Sequence, residues 1–345
     1  MSHSTVPRSG AETTAEPAKT PVASGGATGS REEKPAGKVG LRIRFRRDRV
    51  LLLMTLPAVV LLLVFNYLPI LGNIVAFQDY DPYISDNGIV SMLHSPWVGL
   101  ENFQRIFADS AFWGAVRNTL VLFFLQLLLY FPIPIALALV INSVVRPRVR
   151  ALSQAILYLP HFFSWVLVIA VFQQLFGGAG ILSQLLRQHG YDGLDIMTDP
   201  GTFKFLVTAE SVWKDAGWGI IVFLAALSSV PTDLYEAAAM DGAGRLRRMW
   251  HVTLPALRPV IALLLVLRVG DALTVGFEQI LLQRDAVGPG AAEVLDTFVW
   301  WNGVRNQDFG YAAAAGLIKG VVSLGLVLAA NKVAHLMGEQ GVYKK

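Results

Sequence analysis

Four charged side chains stand inside long apolar runs: Arg268, Asp271 and Glu278 in one and Lys319 in the next. Ionisable groups at such positions are costly against lipid, so they mark a wet path, a proton relay or internal ion pairs. Arg268 and Asp271 are three residues apart, a spacing at which they would neutralise each other on a helix. Phe277 and Gln279 flank Glu278, so Arg268, Asp271, Phe277, Glu278, Gln279 and Lys319 are the candidates for a substrate path. No catalytic set accompanies them. His161, His189, His251 and His335 lack metal-ligand spacing, and with no cysteine present thiol chemistry and Cys-ligated zinc are excluded. No G-x4-G-K-[ST] phosphate loop, H-E-x-x-H or G-x-S-x-G occurs either. The expectation is a non-enzymatic protein with no catalytic residue, metal or cofactor of its own.

A second cluster sits between two apolar runs, Glu236-Ala237-Ala238-Ala239-Met240-Asp241-Gly242, followed by Val252-Thr253-Leu254-Pro255. It reads as a short Ala-rich helix, a Gly242-Ala243-Gly244 break, a basic turn at Arg245, Arg247 and Arg248, and a proline-stopped return to the membrane. Small side chains let another surface approach closely, and glycine permits the reversal.

The elements that must carry these residues are membrane helices. Hydrophobic residues make up 54% of the chain and charged residues 16%, against roughly 25% charged in a soluble domain. Apolar runs near 50–77, 117–143, 152–176, 203–227, 260–282 and 312–334 are each long enough for a hydrocarbon core of ~30 Å. The fold class is therefore all-α, with six transmembrane helices. Lys204, Glu210, Lys214 and Asp215 interrupt the fourth run; Glu210 and Lys214, one turn apart, are expected to pair away from lipid. Pro57, Pro69, Pro132 and Pro134 imply kinks in the first two. Residues 1–40 lack the bulky apolar side chains a core needs and read as a disordered tail, leaving 41–345 as the membrane domain. Eighteen Lys and Arg flank the spans on the side of the N-terminus, against six on the other. Both termini and the 228–259 loop are thus expected in the cytoplasm, and the net charge of +4 calls for membrane lipid rather than nucleic acid.

The spacing of Glu236, Gly242, Leu254 and Pro255 resembles the EAA-x3-G-x9-I-x-L-P signature of permease subunits of bacterial binding-protein-dependent ABC importers, with Val252 in place of Ile. Gly99-Leu100-Glu101-Asn102-Phe103, with Phe112-Trp113 and Asn118-Thr119 beyond it, is similar to the approach to the second span in the carbohydrate-uptake group. Trp213-Lys214-x-x-Gly217-Trp218 resembles a pattern of sugar-type permeases. Val275 to Gln279, Leu295 to Phe298 and Ala314 to Lys319 look like the polysaccharide or oligosaccharide branch.

The resemblance implies a type I ABC importer permease fold in the bacterial cytoplasmic membrane, moving a carbohydrate, an oligosaccharide by branch. It implies a second homologous permease, a dimer of ATPase subunits that bind the ATP, and an extracellular or periplasmic solute-binding protein. Glu236, Ala237, Ala238, Asp241, Gly242, Leu254 and Pro255 would then couple to the ATPase. A proton-coupled secondary transporter using Arg268, Asp271, Glu278 and Lys319 is the alternative, though no internal repeat supports it. Trp300 and Trp301 suit either sugar stacking or an interfacial aromatic belt. Gly316-x3-Gly320 fits a close helix contact.

Overall fold

Long apolar sequences satisfy their backbone groups in lipid only as helices or closed barrels, and this chain takes the first solution. The computed structural model describes residues 49–336; the tail expected over 1–40 and the C-terminal lysines lie outside the described residues. Among the described residues regular structure is helical, apart from one isolated antiparallel bridge between Gln78 and Trp97. Six segments are long and apolar enough to cross a membrane: Leu53–Phe77, Ser110–Asn142, Trp165–Gln188, Phe203–Ser228, Arg245–Gly270 and Phe309–Leu336. The chain divides at Leu63 and Val64 into two compact units. In the first, the described residues form the helix Arg49–Leu62, with Pro57 inside it.

The second unit carries the other spans. The fourth is the most enclosed, with 44% of its apolar window buried against 28% or less in the others. This accounts for its polar residues: Glu210, Ser211 and Lys214 all point inward. Gly217 lets that span touch the neighbouring helix Pro147–Tyr158, since a Cβ there would lie 1.9 Å from the Leu157 carbonyl oxygen. One apolar core joins the second, fourth and fifth spans through Ile141, Ile220, Phe223 and Leu257. Another joins Ile106, Phe112 and Ala115 to Phe298, Tyr311 and Ala315.

Two expected spans differ from those observed. The third begins at Trp165 rather than 152, because Leu159–Phe162 forms a 3-10 turn around Pro160 and Ser164 then caps a new helix by accepting from the Leu167 N–H at 3.3 Å. The fifth ends at Gly270 instead of running to 282. From Asp271 the backbone leaves the helix, Gly276 takes a left-handed φ of 71°, and a separate helix, Phe277–Val287, follows. Phe277, Glu278 and Gln279 therefore do not belong to the fifth span.

Three of the prolines share one accommodation. π turns at Leu63–Tyr67, Gln126–Tyr130 and Met249–Thr253 precede Pro69, Pro132 and Pro255. A proline lacks the N–H its helix needs and crowds the carbonyl a turn earlier. The wider turn re-aims those carbonyls, as where Phe131 N–H reaches Gln126 O at 2.9 Å. Pro255 consequently does not stop a helix, and Arg245–Gly270 runs through it.

Polar side chains pin the non-helical segments. Asn102 donates to the Ala76 and Gln78 carbonyls at 3.1 and 3.0 Å, beneath Gly310, where a Cβ would meet Gln78 O at 2.4 Å. Asn118 donates to Gly290 O and Glu293 O, and Thr119 Oγ1 accepts from Leu295 N–H. Asp109 caps the second span through Ala111 N–H and accepts from the Tyr311 hydroxyl at 2.6 Å. Arg105 donates to Asp308 at 2.6 Å, and that hydrogen bond holds its pKa above the ordinary value.

Candidate functional site

The loop between the fourth and fifth spans is built to present one face. Pro231 precedes the helix Thr232–Met240, and Asp233 lies in its first turn, where carboxylates are favourable. Its far end closes with two bonds, Gly242 N–H to Ala239 O at 3.0 Å and Ala243 N–H to Ala238 O at 2.9 Å. This pairing requires a left-handed residue, and Gly242 has φ 76°. The Tyr235 hydroxyl donates to Thr253 Oγ1 at 3.2 Å and ties the helix to the second limb. Between them and the end of the second span lies a cleft of about 700 Å³ touched by Ser143, Tyr235 and Met249. Outward stand Glu236, Ala237, Ala239, Met240 and Asp241, with Met240 89% exposed, while Ala238 is half-buried. Neither Glu236 nor Asp241 makes an ion pair among the described residues. Leu254 and Pro255 are set back, at the start of the helix after the π turn.

The charged residues are distributed differently from the sequence expectation. Glu210 does not pair with Lys214. Its Oε2 accepts from Gln279 Nε2 at 2.6 Å and Gln283 Nε2 at 2.9 Å, all three being buried, and Gln279 also donates to Val207 O. Lys214 instead donates to His161 O at 2.8 Å and lies 3.7 Å from Asp215, which also meets His161 Nδ1. The cause is position: partners from the helix after the break reach Glu210 on one side, and the 3-10 turn reaches Lys214 on the other.

Arg268 does not pair with Asp271. The helix ends there, so the exposed Asp271 side chain leaves the shared face, and Arg268 donates to Gln126 Oε1 with its guanidinium 5.8 Å from the Tyr130 ring. Lys319 is paired with Asp296, and Arg284 with Glu293 while lying 3.7 Å over the Trp301 ring. Trp301 is thereby occupied. Trp300, by contrast, lines an open cleft of about 700 Å³ with Asn73, Thr274, Phe277, Asp296 and Phe309. Glu278 is exposed and Gln279 is enclosed. Nothing lies within 4 Å of a Cβ built on Gly316 or Gly320, so they make no close helix contact among the described residues. Asn102, Asn118, Thr119, Gln279 and Gln283 carry more of the architecture than their isolated positions in the sequence indicate.

Six candidate spans, a solvent-facing loop helix with an unpaired acidic rim, and a polar break after the fifth span define a polytopic membrane protein with an exposed loop helix between two of its spans. Residues 130–336 match the family described as the binding-protein-dependent transport system inner membrane component, and the chain belongs to that family. It is a multi-pass protein of the bacterial cytoplasmic membrane, and the family decides against a proton-coupled carrier. The chain is 41% identical over 304 residues to the polygalacturonan/rhamnogalacturonan transport system permease protein YteP of Bacillus subtilis, covering 88% of this chain and 93% of that one. It is 38% identical over 310 residues to the protein LplB of the same organism, covering 89% and 96%. Among solved structures it is similar to a bacterial ABC transporter involved in import of the acidic polysaccharide alginate. That match has TM-score 0.78 and 36% identity, covering 86% of this chain and 98% of the other. It is likewise similar, at TM-score 0.78 and 36% identity, to a bacterial alginate ABC transporter in complex with alginate pentasaccharide-bound periplasmic protein, covering 88% of this chain and 99% of the other.

Proposed function

We propose that this chain is one half of the translocation path of an ATP-driven oligosaccharide importer. The observation that carries the reading is the loop helix Thr232–Met240, held by a glycine-dependent cap with its small-residue face open to solvent. A chain without a phosphate loop takes its energy from another subunit, and this face suits the cleft of an ATPase. Closure of two ATPases on ATP would bias the paired permeases between inward- and outward-facing states. Glu236, Ala237, Ala238, Asp241 and Gly242 form the docking surface; Leu254 and Pro255 transmit its motion into the fifth span. Chemistry stays on the ATPase, and this subunit uses no catalytic residue, metal or cofactor of its own.

A second, homologous permease supplies the other half of the path, and an external solute-binding protein delivers the sugar. The names of the relatives support the substrate class, since they include transporters of polygalacturonan and alginate. The path runs along the cleft of Phe277, Trp300 and Asp296, where aromatic faces stack on sugar rings. Basic-residue asymmetry supports placing both termini and the 228–259 loop in the cytoplasm. Affinity purification should recover a second permease and an ATPase, and reporter fusions within residues 228–259 should read cytoplasmic, those within 288–308 external. Transport reconstituted from this chain alone, or an external signal from the loop, would overturn the reading.

A further inference from the structure

Arg268 differs from the enclosed cations that stand beside carboxylates. Lys214 stands 3.7 Å from Asp215, Arg284 is paired with Glu293, and Lys319 with Asp296. Arg268 makes no ion pair among the described residues. Its Nη2 has one neutral acceptor, Gln126 Oε1, and its Nε is buried with no partner. Gln126 is itself only 3% exposed, held on the π turn of the second span, with Tyr130 one turn beyond. A guanidinium offers five donors in a fixed fork that matches a carboxylate. Leaving that fork with one amide oxygen inside a membrane domain is unfavourable unless an anion arrives.

Arg268 stands two residues before Gly270, where the fifth span ends, and the irregular segment after it carries Thr274 into the cleft of Phe277 and Trp300. Irregular backbone at membrane depth is tolerated where it is enclosed by protein or lines a wet cavity. The guanidinium is half-buried, so it remains within reach.

We infer that the transported oligosaccharide carries uronate carboxylates and that Arg268 receives one, with Gln126 orienting the fork. The inference rests on the importer reading and adds to it a charge class and a specificity-determining residue. A neutral sugar leaves the fork unmatched, whereas a carboxylate fills it.

The test uses the assembled permease–ATPase complex without its binding protein. Equilibrium binding is measured for tetragalacturonate and tetramannuronate, each against its methyl ester, which removes the charge and keeps the sugar. The wild type should prefer at least one acid over its ester. Arg268→Gln should weaken that acid about tenfold, as the loss of one charge-assisted hydrogen bond predicts, and leave the ester within about twofold. If neither acid is preferred by wild type, the acidic class is wrong. A preference that survives Arg268→Gln, or an equal loss for acid and ester as expected of an ion pair to the second permease, overturns the assignment. Should that variant fail to assemble, Arg268→Lys is read instead: its acid-to-ester ratio should fall a few-fold, and an unaltered ratio overturns the inference. ATP-driven uptake by the wild-type complex with its binding protein is scored separately, so failure of the importer reading is told apart.

Discussion

Gly242→Val isolates the loop's backbone conformation from its shape. Gly242 has φ 76°, and a Cβ built there meets nothing within 4 Å. The substitution therefore causes no clash in the free subunit, and its cost is that of holding a side-chain-bearing residue in the left-handed region. That cost is about 1–2 kcal/mol, and β-branching raises it further. A difference of this size lowers the ratio of capped to uncapped loops by a factor of roughly 5–30, while the apolar cores stay intact because none includes residue 242. ATP-driven uptake and ATPase co-purification should fall together, with normal membrane levels and an unchanged melting temperature for the permease pair. Gly242→Asn supplies the control, because asparagine enters the left-handed region more readily, and it should keep most of the activity. Normal transport by Gly242→Val would refute the coupling role; equal loss in both variants would show that the position tolerates no side chain, whatever its φ.

Gly217→Ala should act on folding instead, since its Cβ would lie 1.9 Å from Leu157 O; the expected result is depleted or aggregated protein in membrane extracts. Glu210→Leu removes the acceptor that Gln279 and Gln283 share, leaving Gln279 with Val207 O and Gln283 with the longer bond to Gln279 O, and should lower the thermal midpoint of the detergent-solubilised complex clearly more than Glu210→Gln. Lys319→Met leaves the half-buried Asp296 without its ion-pair partner and should lower the thermal midpoint of the complex. Lys319→Met with Asp296→Leu should recover most of that loss, and no recovery in thermal unfolding would show that the pair is not the relevant contact.

The sequence carries the loop plainly because its signals are local. Glu236, Gly242 and the alanines between them act within two turns, and the cap needs nothing from elsewhere. Span number is legible for the same reason, as each apolar run is its own evidence. The interruptions were harder. Leu159-Pro160-His161-Phe162 is apolar enough to pass for helix, and the break at Asp271–Gly276 is announced only by two glycines and an aspartate. Glu210 shows the limit most clearly. Its neighbour at the next turn suggested an ion pair, while the real partners lie 69 and 73 residues away in sequence. Arg268 was visible as an anomaly, but that Gln126 and Tyr130 surround it depends on how the second and fifth spans meet.

The π turns have a consequence for angular phase. Each spreads one extra residue into a helical circuit, and an α-helix advances about 100° per residue. Side chains on either side of Met249–Thr253 are therefore offset by about that angle from where an unbroken helix would put them. Deleting one residue there would leave the hydrogen-bond ladder complete as an ordinary helix. It would also turn Arg245–Arg248 and the loop behind them about a quarter-circle around the axis of the fifth span. The same rotation at Gln126–Tyr130 would carry Gln126 away from Arg268. The widened turns thus set which way each half of a span faces, and a helix of unchanged length and composition would aim its two ends differently without them.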